Sequence, residues 1–352
     1  MHARRDGVRA LYVAPWHMDD PDWPWITGVA PISRHTFTSR FIDSTFRPVP
    51  KLTGIYRRWQ IHQARRAMRD ADITFTFSVD LCRSIGAAPK PPGTRLVYVG
   101  FTQDSAWPDE RIVAVARSMH AYDAITVFTD EERDVYLDRF DLDPARVHTI
   151  PIHTDEPDGY GRYADDPPTD RPYVLSMGSP NRRFLPVAEA CKHLDIPLVI
   201  ITRPWHAHDD LETLAEHGAE IITDAGKQRA LAYLKHARLA AMTFDDPGIP
   251  GGFTTLLHGM FMRTPFVITS CLGVSEHIVH GETGFVTPHD DQDALSAAIE
   301  SLWSSPELAD RFGDAGLDRA ESRHSLRAAS SRFDALIDHV LERRAAAPVV
   351  SR

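Results

Sequence analysis

Two stretches of the 352-residue sequence combine residue types that suit chemistry. The first is Pro247–Thr269 (PGIPGGFTTLLHGMFMRTPFVIT). Its glycine pair, Gly251–Gly252, leads through Phe253, Thr254 and Thr255 into an apolar helical run. Glycine permits positive φ and close backbone approach, and threonine hydroxyls can cap the free N–H groups of a helix start. N–H groups left free, with the helix dipole behind them, form a site for phosphate. A plain helix start in an αβ fold would look the same. The second stretch is Trp16–Trp25 (WHMDDPDWPW), which holds Trp16, Trp23 and Trp25 with His17 and Asp19 among them. Trp16, Asp19 and Trp23 suit a sugar or another planar ligand, since aromatic faces stack on it and polar groups orient it. The alternative is a rigid, proline-bound loop packed against its own domain.

Two weaker candidates stand beside these. Asp104, in the loop Gly100–Trp107, can face a ligand or be an ordinary exposed turn carboxylate. Lys51–Arg69 (KLTGIYRRWQIHQARRAMR) holds six Lys/Arg and no acid. As a helix it can bind an anionic acceptor or lie on a membrane surface, or it is a solvated helix face. Metal and disulfide chemistry find little support. Cys82, Cys191 and Cys271 are far apart and odd in number, so no cysteine framework or zinc spacing is present. His206 and His208 lack an evident third ligand and read as surface loop residues. No metal and no cofactor is expected.

These residues need elements to hold them. The chain is long enough for two domains, and 43% hydrophobic with 25% charged residues is ordinary for a globular protein. A net charge of -10 disfavours a general nucleic-acid partner. The N-terminus runs into a strand pattern without a signal-peptide core, and no apolar run is long enough to span a membrane, so a cytoplasmic location is expected. Apolar runs predict strands at Val8–Ala14, Ile73–Phe77, Leu96–Val99, Ala124–Phe128, Tyr173–Met177, Leu198–Thr202, Glu220–Thr223, Leu239–Thr243 and Phe266–Thr269. Helical patterns lie between them, as at Leu185–Leu194, Asp209–Glu216, Gln228–Ala237 and Leu256–Met262. Helices also follow at Ala294–Trp303, Pro306–Ala315 and Ser325–Arg344. Alternating strands and helices imply an α/β architecture of two parallel sheets, each covered on both faces. Two such Rossmann-like αβα domains facing each other would form a cleft, with ligands beyond the carboxyl ends of the strands. The expected plan is 1–156, a Pro/Gly/Asp-rich linker at 157–171, a second domain at 172–318, and a C-terminal helix at 319–345 free to return to the first domain.

The segment GGFTTLLHGMFMRTPFVITSCLGVSEHIVHGETGFVTPHDDQDAL resembles the donor-site block of the retaining GT-B glycosyltransferases of family 4, the glycosyl transferases group 1. The likeness rests on Leu256–Met260, Thr264–Val267, Gly273 with Glu276 and Ile278, Gly281 with Gly284, and Asp291 with Ala294–Leu295. Tyr173–Ala190 resembles the first strand and helix of the same domain, and Asp123–Asp155 resembles the unit that precedes it. The resemblance implies a GT-B fold and a nucleoside diphosphate sugar as donor, a UDP-sugar more than a GDP-sugar. It places Gly178, Ser179, Arg182 and Arg183 beside the donor diphosphate, with Gly252, Phe253, Thr254 and Thr255 at the helix start. The family usually carries two glutamates eight apart. Here those positions are Pro250 and His258. His258 can still bond a ribose hydroxyl, and Asp245 or Asp246 could offer the sugar a carboxylate.

The resemblance further implies sugar transfer to a small-molecule, lipid-linked or glycan acceptor, with retention and without metal. If a protein base acts, His17 is the candidate, because imidazole titrates near neutral pH. The loss of both glutamates leaves a second reading: a non-catalytic GT-B subunit that binds a nucleotide or glycan and supports a partner. A sugar-nucleotide epimerase of the same fold is a third.

Overall fold

The computed structural model describes residues 7–14, 34–42, 53–103, 107–154, 168–178, 181–203 and 209–342. These fall into two units, one comprising the chain up to Ile152 and from Leu326 onward, the other His153–Ser325.

The first unit is built on a six-stranded parallel sheet in the order β2-β1-β3-β4-β5-β6. Its strands are β1 (Val8–Val13), β2 (Phe37–Ile42), β3 (Ile73–Thr76), β4 (Arg95–Tyr98), β5 (Ala124–Val127) and β6 (Val147–Thr149). The helices between them are α1 (Thr53–Ala67), α2 (Val79–Gly86), α3 (Asp109–Met119) and α4 (Asp130–Arg139). One face of the sheet packs Leu11, Leu96, Tyr98 and Ile125 under these helices. The other packs Tyr12, Phe75 and Val97 against Phe333, Leu336 and Ile337. Those three belong to the last helix, α11 (Leu326–Glu342). Both faces are covered, which is why the strand sequences read as apolar runs rather than alternations. The start of α4 follows from its sequence. Thr129 Oγ1 accepts from Glu132 N at 3.1 Å, and Glu132 Oε2 accepts from Phe128 N at 3.2 Å. Ser/Thr with Glu three residues on is the reciprocal cap that opens a helix.

The second sheet has the order β12-β11-β10-β7-β8-β9, also parallel throughout its named pairs. Its strands are β7 (Val174–Met177), β8 (Leu198–Ile201), β9 (Glu220–Ile222), β10 (Leu239–Met242), β11 (Phe266–Thr269) and β12 (Phe285–Thr287). The helices are α5 (Leu185–His193), α6 (Leu211–Glu216), α7 (Lys227–His236), α8 (Phe253–Phe261), α9 (Gln292–Ser304) and α10 (Pro306–His324). The chain leaves β7 toward β8 and β9, and leaves β10 toward β11 and β12. The direction of winding therefore reverses between β7 and β10, which in open α/β sheets marks the ligand crevice.

Two expectations need correction. The helix starting at Pro306 does not stop near Ala315 but runs to His324. Gly313 and Gly316 within it are buried packing positions. Residues 319–324, grouped with the C-terminal helix in the expected plan, are the end of α10, because Ser325 adopts extended backbone (ψ 157), and the helix expected at Ser325–Arg344 is α11 (Leu326–Glu342). Strands β2, β6 and β12 were not expected and are all sheet edges. Among the described residues no helix is long and apolar enough to cross a membrane.

The α8–α10 packing can be tested with two glycines. A Cβ at Gly313 would lie 2.3 Å from the Arg263 carbonyl oxygen, whereas one at Gly316 would meet nothing nearer than 3.9 Å. Alanine in a helix interior is favoured over glycine by about 1 kcal/mol, but overpacking against fixed backbone costs about 1–3 kcal/mol. Gly316→Ala should therefore raise the urea midpoint and Gly313→Ala should lower it. Equal effects of the two would refute the packing.

Candidate active site

The strands β7 and β10 end at Met177 and Met242, and the loops that follow them meet. Asn181 joins the two. Its Nδ2 donates to Asp246 O at 3.0 Å, and its Oδ1 accepts from Asp246 N at 2.8 Å. Arg183 N donates to Thr243 O at 3.2 Å, extending the tie by one residue.

Arg182 lies under this junction and is 3% exposed. Its Nε donates to Met177 O at 3.2 Å, and its guanidinium stacks on the Phe244 ring, 4.8 Å from the centroid. Two glycines make the space. A Cβ at Gly178 would sit 2.7 Å from Arg182 Nε, and one at Gly252 would sit 2.4 Å from Nη2. Both glycines have positive φ, 132° and 71°, so the backbone conformation independently disfavours a side chain there. Gly251 completes the stack, since a Cβ there would lie 2.8 Å from the Phe244 ring. Arg182 Nη1 is buried without a hydrogen-bond partner, and among the described residues no carboxylate pairs with this guanidinium. Burial pushes its pKa down to about 10, with the Cys271 thiol opposing the shift, so it stays charged at neutral pH.

Two helices start at this crevice, and they differ. The N-terminus of α5 is closed: Asp209 Oδ2 accepts from Leu185 N at 3.1 Å and also from Phe184 N. The N-terminus of α8 begins at Gly252 in the left-handed region with no side-chain cap. Thr254 and Thr255 follow, the first exposed and the second half-buried. The hydroxyl capping that their sequence allows is not used. Phe253 is 5% exposed, and its ring lies 4.1 Å from that of His277. Its side chain is thus committed to packing, and only its backbone N–H is on offer. His277 Nδ1 in turn lies 3.4 Å from His324 Nε2. Burial, followed by His324 and two arginines, drives the His277 pKa well below the ordinary imidazole value.

His258 sits one turn further along α8. Burial, and secondarily Lys227, lowers its pKa to about 4. It is a neutral imidazole at physiological pH, able to donate at one nitrogen and accept at the other.

The structure separates the two arginines that the sequence pairs. Arg182 turns inward, while Arg183 Nη1 is 2.6 Å from Asp290 Oδ1. Arg183 lines a cavity of ≈ 450 Å³ with Thr243, His289 and Asp290. Asp246 is also committed: its Oδ1 accepts from Gly248 N at 2.7 Å. Asn181, Phe244 and Asp290 were missed as site residues. The left-handed φ of 56° at Asn181 is a conformation that Asn tolerates better than most residues, which was the one available signal. Trp16, His17, Asp19, Trp23, Asp104, Ser179, His206 and His208 lie outside the described residues, so the expectations placed on them are not addressed by the geometry. Their frames are visible in part. Ala14, the last described residue before Trp16, accepts at its carbonyl from buried Gln60 Nε2 at 2.7 Å. Gln103, the last described residue before Asp104, donates from its backbone N to the Tyr136 hydroxyl at 3.1 Å.

Residues 181–305 match the sequence model of the family described as glycosyl transferases group 1. None of the curated proteins matches the sequence significantly. Several solved structures share the fold. Anabaena HepE, in complex with UDP and glucose, superposes with a TM-score of 0.73 at 11% identity, covering 94% of this chain and 99% of that one. Sucrose-phosphate synthase of Thermosynechococcus elongatus gives 0.73 at 14% identity, with 96% and 100% covered. A glycosyltransferase from Rickettsia africae gives 0.68 at 13% identity, again with 96% and 100% covered. At these identities the likeness establishes the fold. With the two doubly wound sheets and these superpositions, the chain has the GT-B fold, and over residues 181–305 it resembles the glycosyl transferases group 1.

Proposed function

We propose that the chain transfers a hexose from a nucleoside diphosphate sugar to an acceptor hydroxyl, with retention of configuration and without a metal ion. A UDP-sugar is the favoured donor, and the acceptor is a small molecule, a lipid-linked sugar or a glycan. The cytoplasm, where nucleotide sugars are made, is the proposed location. The reading rests on one observation above all. A buried guanidinium with an unpartnered Nη1 adjoins the one open helix start at the sheet's crevice.

The chemistry follows from charge. As the bond between sugar C1 and the diphosphate oxygen breaks, the electron pair stays on the leaving oxygen. Arg182 and the N–H groups of Phe253, Thr254 and Thr255 stabilise that charge, and such contacts strengthen as it grows. The acceptor oxygen forms the new C1–O bond from the same face, and its proton passes to the leaving phosphate oxygen. His17 is the proposed base if a protein group assists. Gly178 gives the phosphates close backbone approach, and neutral His258 meets a ribose hydroxyl. The neighbouring Ser179 is proposed to share the phosphate contact. Trp16, Asp19 and Trp23 are proposed for the acceptor, and Asp104 as a second catalytic candidate beside His17.

The test is Arg182→Met with titration of UDP. Removing one member of a buried, hydrogen-bonded charge pair costs about 2–5 kcal/mol, so UDP affinity should fall about thirtyfold or more. The apo protein should melt no lower than the parent, because an unpaired buried charge has been replaced by an apolar side chain of similar shape. Unchanged UDP affinity and unchanged turnover would reject the reading.

Stability should also depend on pH through the buried imidazoles. In the unfolded chain His258 and His277 take up protons near pH 6.5, whereas in the folded chain His258 does so only near pH 4 and burial holds the His277 pKa well below its ordinary value. Between those values the unfolded state binds more protons, so folding free energy is lost as pH falls and is constant above that window. His258→Gln keeps the hydrogen-bonding capacity and removes the titration. The plot of urea midpoint against pH should then be shallower between about 6.5 and 4. A slope equal to that of the parent would show that His258 titrates normally.

A further inference from the structure

Helix α1 carries two opposite faces. Gln60, Ala64, Ala67 and, just beyond the helix, Met68 are buried and bind it to the first sheet. Ile55, Arg58, Trp59, His62 and Arg66 lie on the outside, continued by Arg69. Their spacing of three or four residues makes one stripe. Ile55 is 68% and Trp59 51% exposed. Only Val113 and Val135 share that condition among the described residues, so half of the exposed large apolar side chains stand one turn apart on this helix.

The charge on the stripe is equally one-sided. The helix has no acid. Arg57 is taken by Asp80 at 3.1 Å, and Arg65 Nη2 donates to Ser84 O at 3.0 Å. Among the described residues Arg58, Arg66 and Arg69 make no ion pair. The chain as a whole has a net charge of -10, so this cluster runs against the overall balance. The Tyr56 and Trp59 rings lie 5.6 Å apart at the apolar end. Tryptophan favours the water–hydrocarbon boundary, and arginine beside it favours anionic headgroups.

We propose that the outer face of α1 docks on an anionic lipid surface, with Ile55 and Trp59 entering the headgroup–acyl boundary and Arg58, Arg66 and Arg69 on the lipid phosphates. A nucleic-acid partner would use the arginines but has no need of an exposed Ile–Trp turn beside them. The proposal does not depend on the donor or on the transfer reaction, and UDP titration on the same samples keeps the two separable.

The test is co-sedimentation of the full chain with phosphatidylcholine vesicles, with and without phosphatidylglycerol. Binding should require the anionic lipid and weaken with salt. Each arginine near such a surface strengthens binding roughly fivefold, so Arg58→Gln, Arg66→Gln and Arg69→Gln together should weaken it about a hundredfold. Ile55→Ser with Trp59→Ser should weaken it comparably while leaving UDP affinity and melting temperature unchanged, since both side chains are exposed. No binding by the parent, or binding indifferent to both variants, would overturn the proposal. So would binding to a single-stranded oligonucleotide that matches the vesicles in strength and ignores the Ile55/Trp59 change, because that would assign the face to polyanions in general.

Discussion

The second unit is organised around a positive charge that has been taken out of water and has no negative partner among the described residues. Burying a guanidinium costs several kcal/mol unless its hydrogen bonds are met. Here one carbonyl, one thioether and one aromatic face meet only part of the demand. Everything nearby is shaped by that group. Gly178 and Gly252 are glycines because the guanidinium occupies the space of their side chains, and Gly251 is one because Phe244, which stacks on Arg182, occupies its own. The two glycine-bearing loops that flank the crevice are thus halves of one packing arrangement, although they lie some seventy residues apart in the chain.

The helix dipole sharpens the point. An uncapped helix start carries partial positive charge, and α8 directs it at the same place as Arg182. Two like contributions held together are unfavourable until an anion arrives between them. A polyanionic ligand gains from both at once, without either having to move. The fold prevents the neighbouring helix from competing: Asp209 already satisfies the first N–H groups of α5. The reversal of winding between β7 and β10 brings two helix starts together, and the choice of side chains leaves only one open.

How much of this was legible in the sequence depended on how local its cause was. Strands covered on both faces, such as Ile73–Thr76 and Phe266–Thr269, show as apolar runs and were readable to within a residue. β2, β6 and β12 escaped because an edge strand is half solvated. Its sequence, as in Phe37–Ile42 with Thr, Ser and Arg interleaved, carries no such run. Gly251–Thr255 was readable as a helix start, since its glycines and threonines are a local signature. The inward turn of Arg182 was not. Two adjacent arginines look alike in sequence, and only the distant Gly252 and Phe244 decide that the first is buried while Asp290 decides where the second goes. Roles that depend on loops outside the described residues, those of His17 and Trp16 among them, rest on residue type alone.

The departures from the family pattern acquire a physical meaning at this site. A glutamate at either Pro250 or His258 would place negative charge near the open helix start and offset part of the field of Arg182. His258, neutral because its surroundings are dry, can contact a hydroxyl without adding any charge. Of the two carboxylates that follow β10, Asp246 already holds Gly248 N, and its backbone is fixed by Asn181. It can turn toward a ligand only by breaking the bend that positions Gly251 and Gly252. If a carboxylate from this loop approaches the donor sugar, Asp245 is the one that can do so without dismantling the proposed phosphate site.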